Sequence, residues 1–213
     1  MFKNMLYYIS IIVLVFIISL CSTSAKNTLL NINYNITLYG EVNHVTANEI
    51  ISRIHQLNKI NTKHPIFLFI DSPGGSLLAG TKIIDAMQQS THPIYTVDVG
   101  MAASMAAYIH SYGDKRYMLP HAVLMYHNAS TSFDEAPLNV IASRVEMLMK
   151  MMAILDMNIV NRSGNITYNQ LKQNEANGWW VMTDDAMKYH LIDGVISLEY
   201  YPLSQPKSII INK

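Results

Sequence analysis

Continuous apolar runs alternate with amphipathic stretches along most of this chain. The run Ile66–Ile70 is continuously apolar, as in a strand that is buried on both faces, and Ile94–Val99 is predicted as the next strand. Between them, Leu77–Gln88 has apolar residues at helical spacing. Strands that alternate with helices predict right-handed crossovers and a mostly parallel sheet with helices on its faces, which is an α/β protein.

The same alternation continues in both directions. Near the N-terminus a short strand, Asn35–Leu38, precedes a helix in which Thr46 and Glu49 have the spacing of a capping box. Two more strands are predicted, at Ala122–Met125 and after Gly194. The other predicted helices are 104–110, a long one from Pro137 to about Asn161, and 184–189 with Thr183 as its cap.

The long predicted helix carries an apolar stripe rich in methionine: Met147, Leu148, Met151, Met152, Leu155 and Ile159. Flexible thioether side chains fill irregular gaps in cores and at adaptable interfaces. The stripe therefore indicates either core packing or association with a second copy of the chain, and the sequence leaves both open.

The first 25 residues have a different character from the rest. Lys3 precedes an apolar run, Leu6–Leu20, and Thr23 and Ala25 then stand at the −3 and −1 places of a small-residue exit. This order is typical of a secretory signal. We divide the chain into residues 1–25, a signal peptide or membrane anchor, and residues 26–213, one globular domain. The expected location is exported or membrane-tethered, or cytoplasmic if the segment is not a signal.

Composition narrows the possible partners. The formal net charge is zero, so no basic face for nucleic acid is expected. Cys21 is the only cysteine and lies in the segment that a signal peptidase would remove. The domain therefore has no disulfide, cysteine nucleophile or thiolate metal site. No cofactor and no metal are predicted.

The stretch from Gly100 to Ala107 consists of small residues and methionines with a single hydroxyl, Ser104, directly after the predicted strand Ile94–Val99. A serine at a strand-to-helix junction can be exposed and strained, beside the free N–H groups of the helix start. Ser104 is thus a candidate nucleophile. The alternative is that small residues here only let a helix pack closely against the sheet.

Acyl transfer also needs a base and N–H donors for the oxyanion. Met105 offers a donor at the helix start, and Gly75 offers another at the glycine-rich end of a neighbouring strand. His127 follows the strand Ala122–Met125, at the same edge as Ser104 if the strands are parallel. The seven other histidines fall in predicted loops or on polar helix faces.

Three motifs, in order and with similar spacing, resemble the proteolytic subunit of the Clp protease: Asp71-Ser72-Pro73-Gly74-Gly75, Gly100–Met105, and Met118-Leu119-Pro120 with Met125-Tyr126-His127. The similarity extends from about residue 35 to residue 196. It implies a ClpP/crotonase-type fold of repeated β-β-α units, with a mostly parallel sheet and a protruding long handle helix. It also implies a serine endopeptidase acting on peptides or unfolded proteins. In that enzyme Ser104 is the nucleophile, His127 is the general base, and the N–H groups of Gly75 and Met105 form the oxyanion hole.

The chain departs from the family pattern at the group that orients the base. The resemblance implies an aspartate where this chain has Gly178, and Asn177 or Glu175 is then the expected substitute. In serine peptidases, loss of the orienting carboxylate lowers turnover by about 10⁴-fold because the imidazole adopts the wrong tautomer. The resemblance further implies a homo-oligomer and an ATP-driven unfoldase partner, although export would separate the chain from ATP.

Three other functions compete with this one. A Clp-like scaffold or regulatory subunit would retain Ser104 and His127 without activity. A membrane-associated enzyme similar to signal peptide peptidases would use a Ser/Lys dyad, for which Lys115 is the lysine to test. An acyl-CoA enzyme of the crotonase type shares the fold but needs no serine in this motif.

Overall fold

The computed structural model describes residues 28–31, 34–62, 64–130, 132, 135–199 and 208–211, so the predicted segment 1–25 lies outside the described residues. The described strands are β1 Thr28–Asn31, β2 Asn35–Tyr39, β3 Ile66–Ser72, β4 Ile94–Ala103, β5 Lys115–Met118, β6 Val123–Tyr126, β7 Trp179–Met182, β8 Gly194–Glu199 and β9 Ser208–Ile211. The described helices are α1 His44–Leu57, α2 Leu77–Gln88, α3 Met105–Ser111, α4 Leu138–Ser163, α5 Tyr168–Glu175 and α6 Thr183–Lys188.

Five parallel strands form the centre of the sheet, in the order β2-β3-β4-β5-β8. At one edge β9 pairs antiparallel with β8, and β1 pairs antiparallel with β9. The long strand β4 pairs with β5 along its first half and with β6 near its end. Strand β7 runs antiparallel to β6. The predicted α/β fold with a mostly parallel sheet is confirmed.

Both faces of the sheet are covered by apolar side chains. Ile66, Leu68 and Ile70 of β3 pack in the larger core with the helices. Phe67 and Phe69, which alternate with them, pack in a smaller cluster on the other face. Full burial of each such side chain is worth about 1.5–3 kcal/mol relative to exposure. The strand is therefore buried on both faces, as its continuous apolar run predicts.

The start of α1 differs from the prediction by one turn. Its N-cap is Asn43, whose side-chain oxygen accepts hydrogen bonds from the N–H groups of Val45 and Thr46. Thr46 closes the capping box from the third helical position rather than opening it. A short side-chain carbonyl suits the N-cap, and this places the helix start ahead of the predicted Thr46–Glu49 box.

Thr183 does not cap α6 as predicted. It is the first residue of the helix, and its hydroxyl lies 3.2 and 3.1 Å from the carbonyl oxygens of Leu119 and Pro120 and can donate to either. This contact ties α6 to the turn between β5 and β6.

Helix α4 has 26 residues, which corresponds to about 39 Å. Leu155 and Ile159, in its second half, are buried in the core, whereas Met147 in its first half is 45% exposed, and Met149, which lies outside the stripe, is 68% exposed. The methionine stripe is thus core at one end and exposed at the other, and the helix protrudes as the resemblance implies. Within the described ranges, no helix is long and apolar enough to cross a membrane.

Candidate active site

Ser104 occupies the sharp turn between β4 and α3. Its backbone has φ +54° and ψ −126°, a conformation that costs a residue with a Cβ about 1–3 kcal/mol. The Ser104 N–H donates to the carbonyl oxygen of Met125 at 2.8 Å, which attaches this turn to β6. The side chain therefore stands at the carboxyl edge of the parallel strands, where ligands gather in α/β sheets.

Every residue of α3, the helix that follows Ser104, is buried. A Cβ on Gly80 of α2 would overlap the thioether of Met105, so the two helices pack closely. The small residues therefore allow close helix packing, and this is compatible with Ser104 as a nucleophile. His110 is buried as well, with Nε2 3.1 Å from the Tyr117 carbonyl oxygen, and the prediction that it lies in a loop or on a polar face is wrong.

His127 lies beside Ser104. Its Nε2 is 2.9 Å from Ser104 Oγ, and its Nδ1 is 2.7 Å from the carbonyl oxygen of Asn128. A carbonyl oxygen only accepts hydrogen bonds, so Nδ1 carries the hydrogen and Nε2 presents its lone pair to the Ser104 hydroxyl. This is the tautomer that a general base for Ser104 requires.

The two expected substitutes for the aspartate do not orient His127, so that prediction is wrong. The Glu175 carboxyl group lies within hydrogen-bond distance of Tyr108 Oη and Lys172 Nζ, on a buried side of α5. Asn177 is an exposed residue beyond the end of that helix. Among the described residues no carboxylate bonds to His127, and the backbone of Asn128 takes that place.

Gly178, where the family resemblance implies an aspartate, directly precedes β7. The β6–β7 register pairs Tyr126 with Trp179 and Met125 with Trp180, so its next step sets Gly178 opposite His127. Gly178 has φ +75°, and a Cβ there would meet only Trp180 Nε1, at 3.8 Å. The position has room for a side chain but favours glycine in its backbone.

The glycine pair after β3 packs against the Ser104 turn. Gly74 and Gly75 have φ +91° and +145°, which favour glycine. A Cβ on Gly74 would lie 2.7 Å from Ser104 Cβ and 2.8 Å from the Met105 nitrogen, whereas one on Gly75 would overlap the Val42 carbonyl. Of the two glycines, Gly74 is the one that approaches the Ser104 turn.

All four predicted site residues, Ser104, His127, Gly75 and Met105, line one cavity of about 1260 Å³. The first turn of α3 leaves the Met105 N–H without an intrahelical acceptor. The opposite wall comes from α4 and is mostly apolar, with Leu148, Met149, Met152 and Ala153. The cavity therefore contains the Ser104–His127 pair and the free N–H of Met105, and one of its walls is mostly apolar.

Neither Lys115, the candidate for a Ser/Lys dyad, nor Lys172, which lines the cavity, is arranged as a base. Lys115 pairs with Tyr95 at the beginning of β4, nine residues before Ser104. Lys172 lines the cavity, but its ammonium group donates to Asp156 and Glu175. Burial alone lowers the pKa of Lys172, yet these hydrogen bonds raise it above its ordinary value, so the group stays protonated. In the part of the chain that is described, no cluster of His, Cys, Asp and Glu could hold a metal ion.

The fold and the site together define an α/β protein with a serine–histidine pair at the carboxyl edge of its sheet. Residues 22–199 match the Clp protease family. The chain is 31% identical to the ATP-dependent Clp protease proteolytic subunit 3 of Synechococcus sp. (strain CC9902) over 172 residues, which cover 80% of this chain and 86% of the relative. It is 34% identical to the ATP-dependent Clp protease proteolytic subunit 2 of Tropheryma whipplei (strain Twist) over 151 residues, or 70% and 83% of the two chains. The same identity extends over 173 residues of the subunit 2 of Corynebacterium efficiens, or 79% and 85%.

The chain belongs to the Clp protease family. Membership implies a peptidase, that is, a hydrolase of peptide bonds.

Proposed function

We propose that this protein is a serine endopeptidase that cleaves short or unfolded polypeptides through an acyl-enzyme on Ser104. The observation that carries the proposal is the 2.9 Å separation between Ser104 Oγ and His127 Nε2 inside an open cavity. A nucleophile within hydrogen-bond reach of an oriented base is the geometry that acyl transfer requires.

In the proposed mechanism, Ser104 Oγ attacks the scissile carbonyl carbon while His127 Nε2 takes the hydroxyl proton. The N–H groups of Met105 and Gly75 stabilise the oxyanion of the tetrahedral intermediate. The C–N bond then breaks, and Nε2 gives its proton to the leaving amine. A water molecule then attacks the acyl carbon while His127 Nε2 takes its proton. The ester bond to Ser104 breaks, and Nε2 returns the proton to Ser104 Oγ.

The Asn128 carbonyl oxygen takes the role of the missing aspartate in this proposal. It holds the Nδ1–H tautomer by accepting its hydrogen bond. It supplies a dipole rather than a full negative charge, so it stabilises the imidazolium less than a carboxylate would. We therefore expect a slower enzyme than one with a complete triad.

A phosphonate probe that labels activated serines tests the proposal. Labelling of the wild-type protein, lost in both Ser104→Ala and His127→Ala, is the expected result. Lys115→Ala is the matched control and should label like wild type, because Lys115 lies at the far end of β4. Labelling that survives His127→Ala but is lost in Lys115→Ala contradicts the mechanism.

A second candidate function is a Clp-like scaffold or regulatory subunit. It is favoured by one observation, the uncharged partner of His127 Nδ1. A wild-type protein that folds and shows neither labelling nor hydrolysis supports this function over the peptidase.

The proposal includes a cellular location for the protein. We infer export or membrane tethering from residues 1–25, and cell fractionation of the full chain tests it.

The exposed methionines in the first half of α4, Met147 and Met149, support a homo-oligomer, which sedimentation of the purified chain tests. The relatives' names describe ATP-dependent subunits. An ATP-driven unfoldase is therefore a partner to test if the chain stays in the cytoplasm.

A further inference from the structure

A buried polar cluster lies behind Ser104, one helical turn away. We define the Tyr108 cluster as Tyr108, Asp156, Glu175 and Lys172. The Tyr108 N–H donates to the Ser104 carbonyl oxygen at 3.3 Å, so the two residues are stacked in the first turn of α3. The Asp156 and Glu175 side chains are 1% and 0% exposed, and Tyr108, Asp156 and Lys172 line the cavity.

The hydrogen bonds of the cluster form a closed ring. Tyr108 Oη lies 2.8 Å from Asp156 Oδ1 and 2.9 Å from Glu175 Oε1. Lys172 Nζ lies 3.1 Å from Asp156 Oδ2 and also contacts Glu175 Oε2. A tyrosine hydroxyl has one proton to donate, but Oη touches two carboxyl oxygens. The second of these contacts is a hydrogen bond only if a carboxyl group supplies the proton.

The charges of the cluster lead to the same conclusion. Two ionised carboxylates and one ammonium group would leave a net charge of −1 on two buried carboxyl groups, which is costly. One added proton makes the cluster neutral. Asp156 lines the open cavity and Glu175 does not, and burial raises the pKa of Glu175 above the ordinary value, although the hydrogen bonds with Lys172 and Tyr108 act against this.

We propose that Glu175 is a neutral carboxylic acid at neutral pH that donates to Tyr108 Oη, and that this proton makes Glu175 a positioning residue for the Ser104–His127 pair. Tyr108 follows Ser104 on α3. The Glu175 carbonyl oxygen accepts from the Gly178 N–H at 3.1 Å, just before β7, which pairs with the strand that precedes His127. The protonated ring therefore joins the segments that carry both members of the pair. The positioning role rests on the proposed peptidase function, whereas the protonation does not.

The titratable groups that face Glu175 are Tyr108 on α3, Tyr126 on β6, Asp156 on α4 and Lys172 on its own helix. When Glu175 ionises, neither the two tyrosines nor Asp156 can supply a new proton for the contact between Glu175 and Tyr108. Lys172 already bonds to both acids. At alkaline pH, Tyr108 Oη and the Glu175 carboxylate then repel each other and the ring opens. The folded state binds this proton more tightly than the unfolded chain does, so both stability and activity fall as pH rises.

Infrared spectroscopy tests the protonation without any need for activity. In full-chain Ser104→Ala/Asp98→Asn protein at neutral pH, which lacks the other buried carboxyl group of raised pKa, we expect a protonated-carboxyl carbonyl band that is lost on adding Glu175→Gln and kept on adding Asp156→Asn. The band should disappear on alkaline titration of Ser104→Ala/Asp98→Asn itself, a measurement that does not depend on the folding of the further variants. A spectrum with no such band, or a band that persists without Glu175, overturns the proposal.

Kinetics in the Ser104-containing protein test the positioning role. Glu175→Gln can donate to Tyr108 and accept from Lys172, so it should retain kcat/KM within about threefold at neutral pH and lose the alkaline decline of the wild type. Tyr108→Phe, which removes the bridge, should lower kcat/KM by about tenfold or more. An unchanged alkaline limb in Glu175→Gln contradicts the positioning role. A wild type with the infrared band but no hydrolysis contradicts the peptidase function and the positioning role, and leaves the protonation supported.

Discussion

His127 Nδ1 lies 2.7 Å from the carbonyl oxygen of Asn128, and among the described residues this is the contact that orients the imidazole. Asn128 is exposed and follows directly in sequence, so the contact is local and open to water. A neutral acceptor fixes the tautomer but adds little electrostatic stabilisation to a positively charged ring. Turnover should therefore be slow, because among the described residues no negative charge beside His127 stabilises the imidazolium.

Placing a carboxylate at Gly178 should raise activity. The next step of the β6–β7 register sets the position opposite His127, and a Cβ there meets only Trp180 Nε1, at 3.8 Å. We expect Gly178→Asp to raise kcat/KM by roughly tenfold to a thousandfold, and to cost about 1 kcal/mol of stability because φ is +75°. Gly178→Asn is the matched control, since asparagine has the same size and also tolerates this φ. Equal kinetics for the two variants would show that charge at this position does not reach the imidazole.

Gly74 should be intolerant of any side chain. A Cβ there would lie within 3 Å of Ser104 and Met105 and would shift both the nucleophile and the oxyanion donor. We expect Gly74→Ala to lower kcat/KM by about 10²-fold or more. Gly40→Ala is the control, because Gly40 has a similar φ of +75° but nothing within 4 Å of its added Cβ. It should cost about 1 kcal/mol of stability and leave kcat/KM unchanged. A Gly74→Ala enzyme of normal activity would mean that the turn does not need this close approach.

The backbone of Ser104 should store measurable strain. Its φ of +54° is unfavourable for any residue with a Cβ. We expect Ser104→Gly to be about 1 kcal/mol more stable than Ser104→Ala, although both lack the hydroxyl. Thermal unfolding of the two inactive variants measures this difference. An alanine variant that equals or exceeds the glycine variant in stability would show that the turn is relaxed.

Asp98 should make stability depend on pH. It is buried in β4, its Oδ1 accepts from the Gly100 N–H at 3.1 Å, and no described residue bonds to its Oδ2. Burial raises the pKa of Asp98 to about 7, so the folded state holds a proton that the unfolded chain releases near pH 4. Stability should accordingly fall as pH rises from about 4 to 7, by on the order of 3 kcal/mol.

The Asp98→Asn variant should lose this part of the pH dependence, because its amide does not ionise, and should keep the part due to Glu175. The measurement is the free energy of unfolding by urea at several pH values. The exposed substitution Asp184→Asn serves as the control and should retain the wild-type slope. Identical slopes for Asp98→Asn and wild type would assign the pH dependence to another group.

Much of the fold follows from short-range patterns. The apolar runs that became β3 and β4 are long enough to predict, and the parallel arrangement of strand ends brings Ser104 near His127. Helix α5 and strand β7 were not predicted. Helix α5 is mostly polar, with only Leu171 and Glu175 buried, and β7 has four residues, so each gives a weak periodic pattern.

The details of the site depend on contacts without a local pattern. Every residue has a backbone carbonyl, so the sequence does not indicate that the carbonyl of Asn128 accepts the hydrogen bond from His127. Tyr108 meets Asp156 and Glu175 across separations of 48 and 67 residues, and no spacing rule covers such a contact. His110 was misplaced because α3 was expected to have a polar face, whereas all of its residues are buried.

Hydrolysis of a short fluorogenic peptide by the purified full chain, compared with Ser104→Ala and His127→Ala, tests the central claim most directly. We expect wild-type turnover that falls by at least about 10³-fold in each variant, because Ser104 and His127 act as one unit. Turnover in wild type that matches the Ser104→Ala background would contradict a working serine peptidase and favour the scaffold.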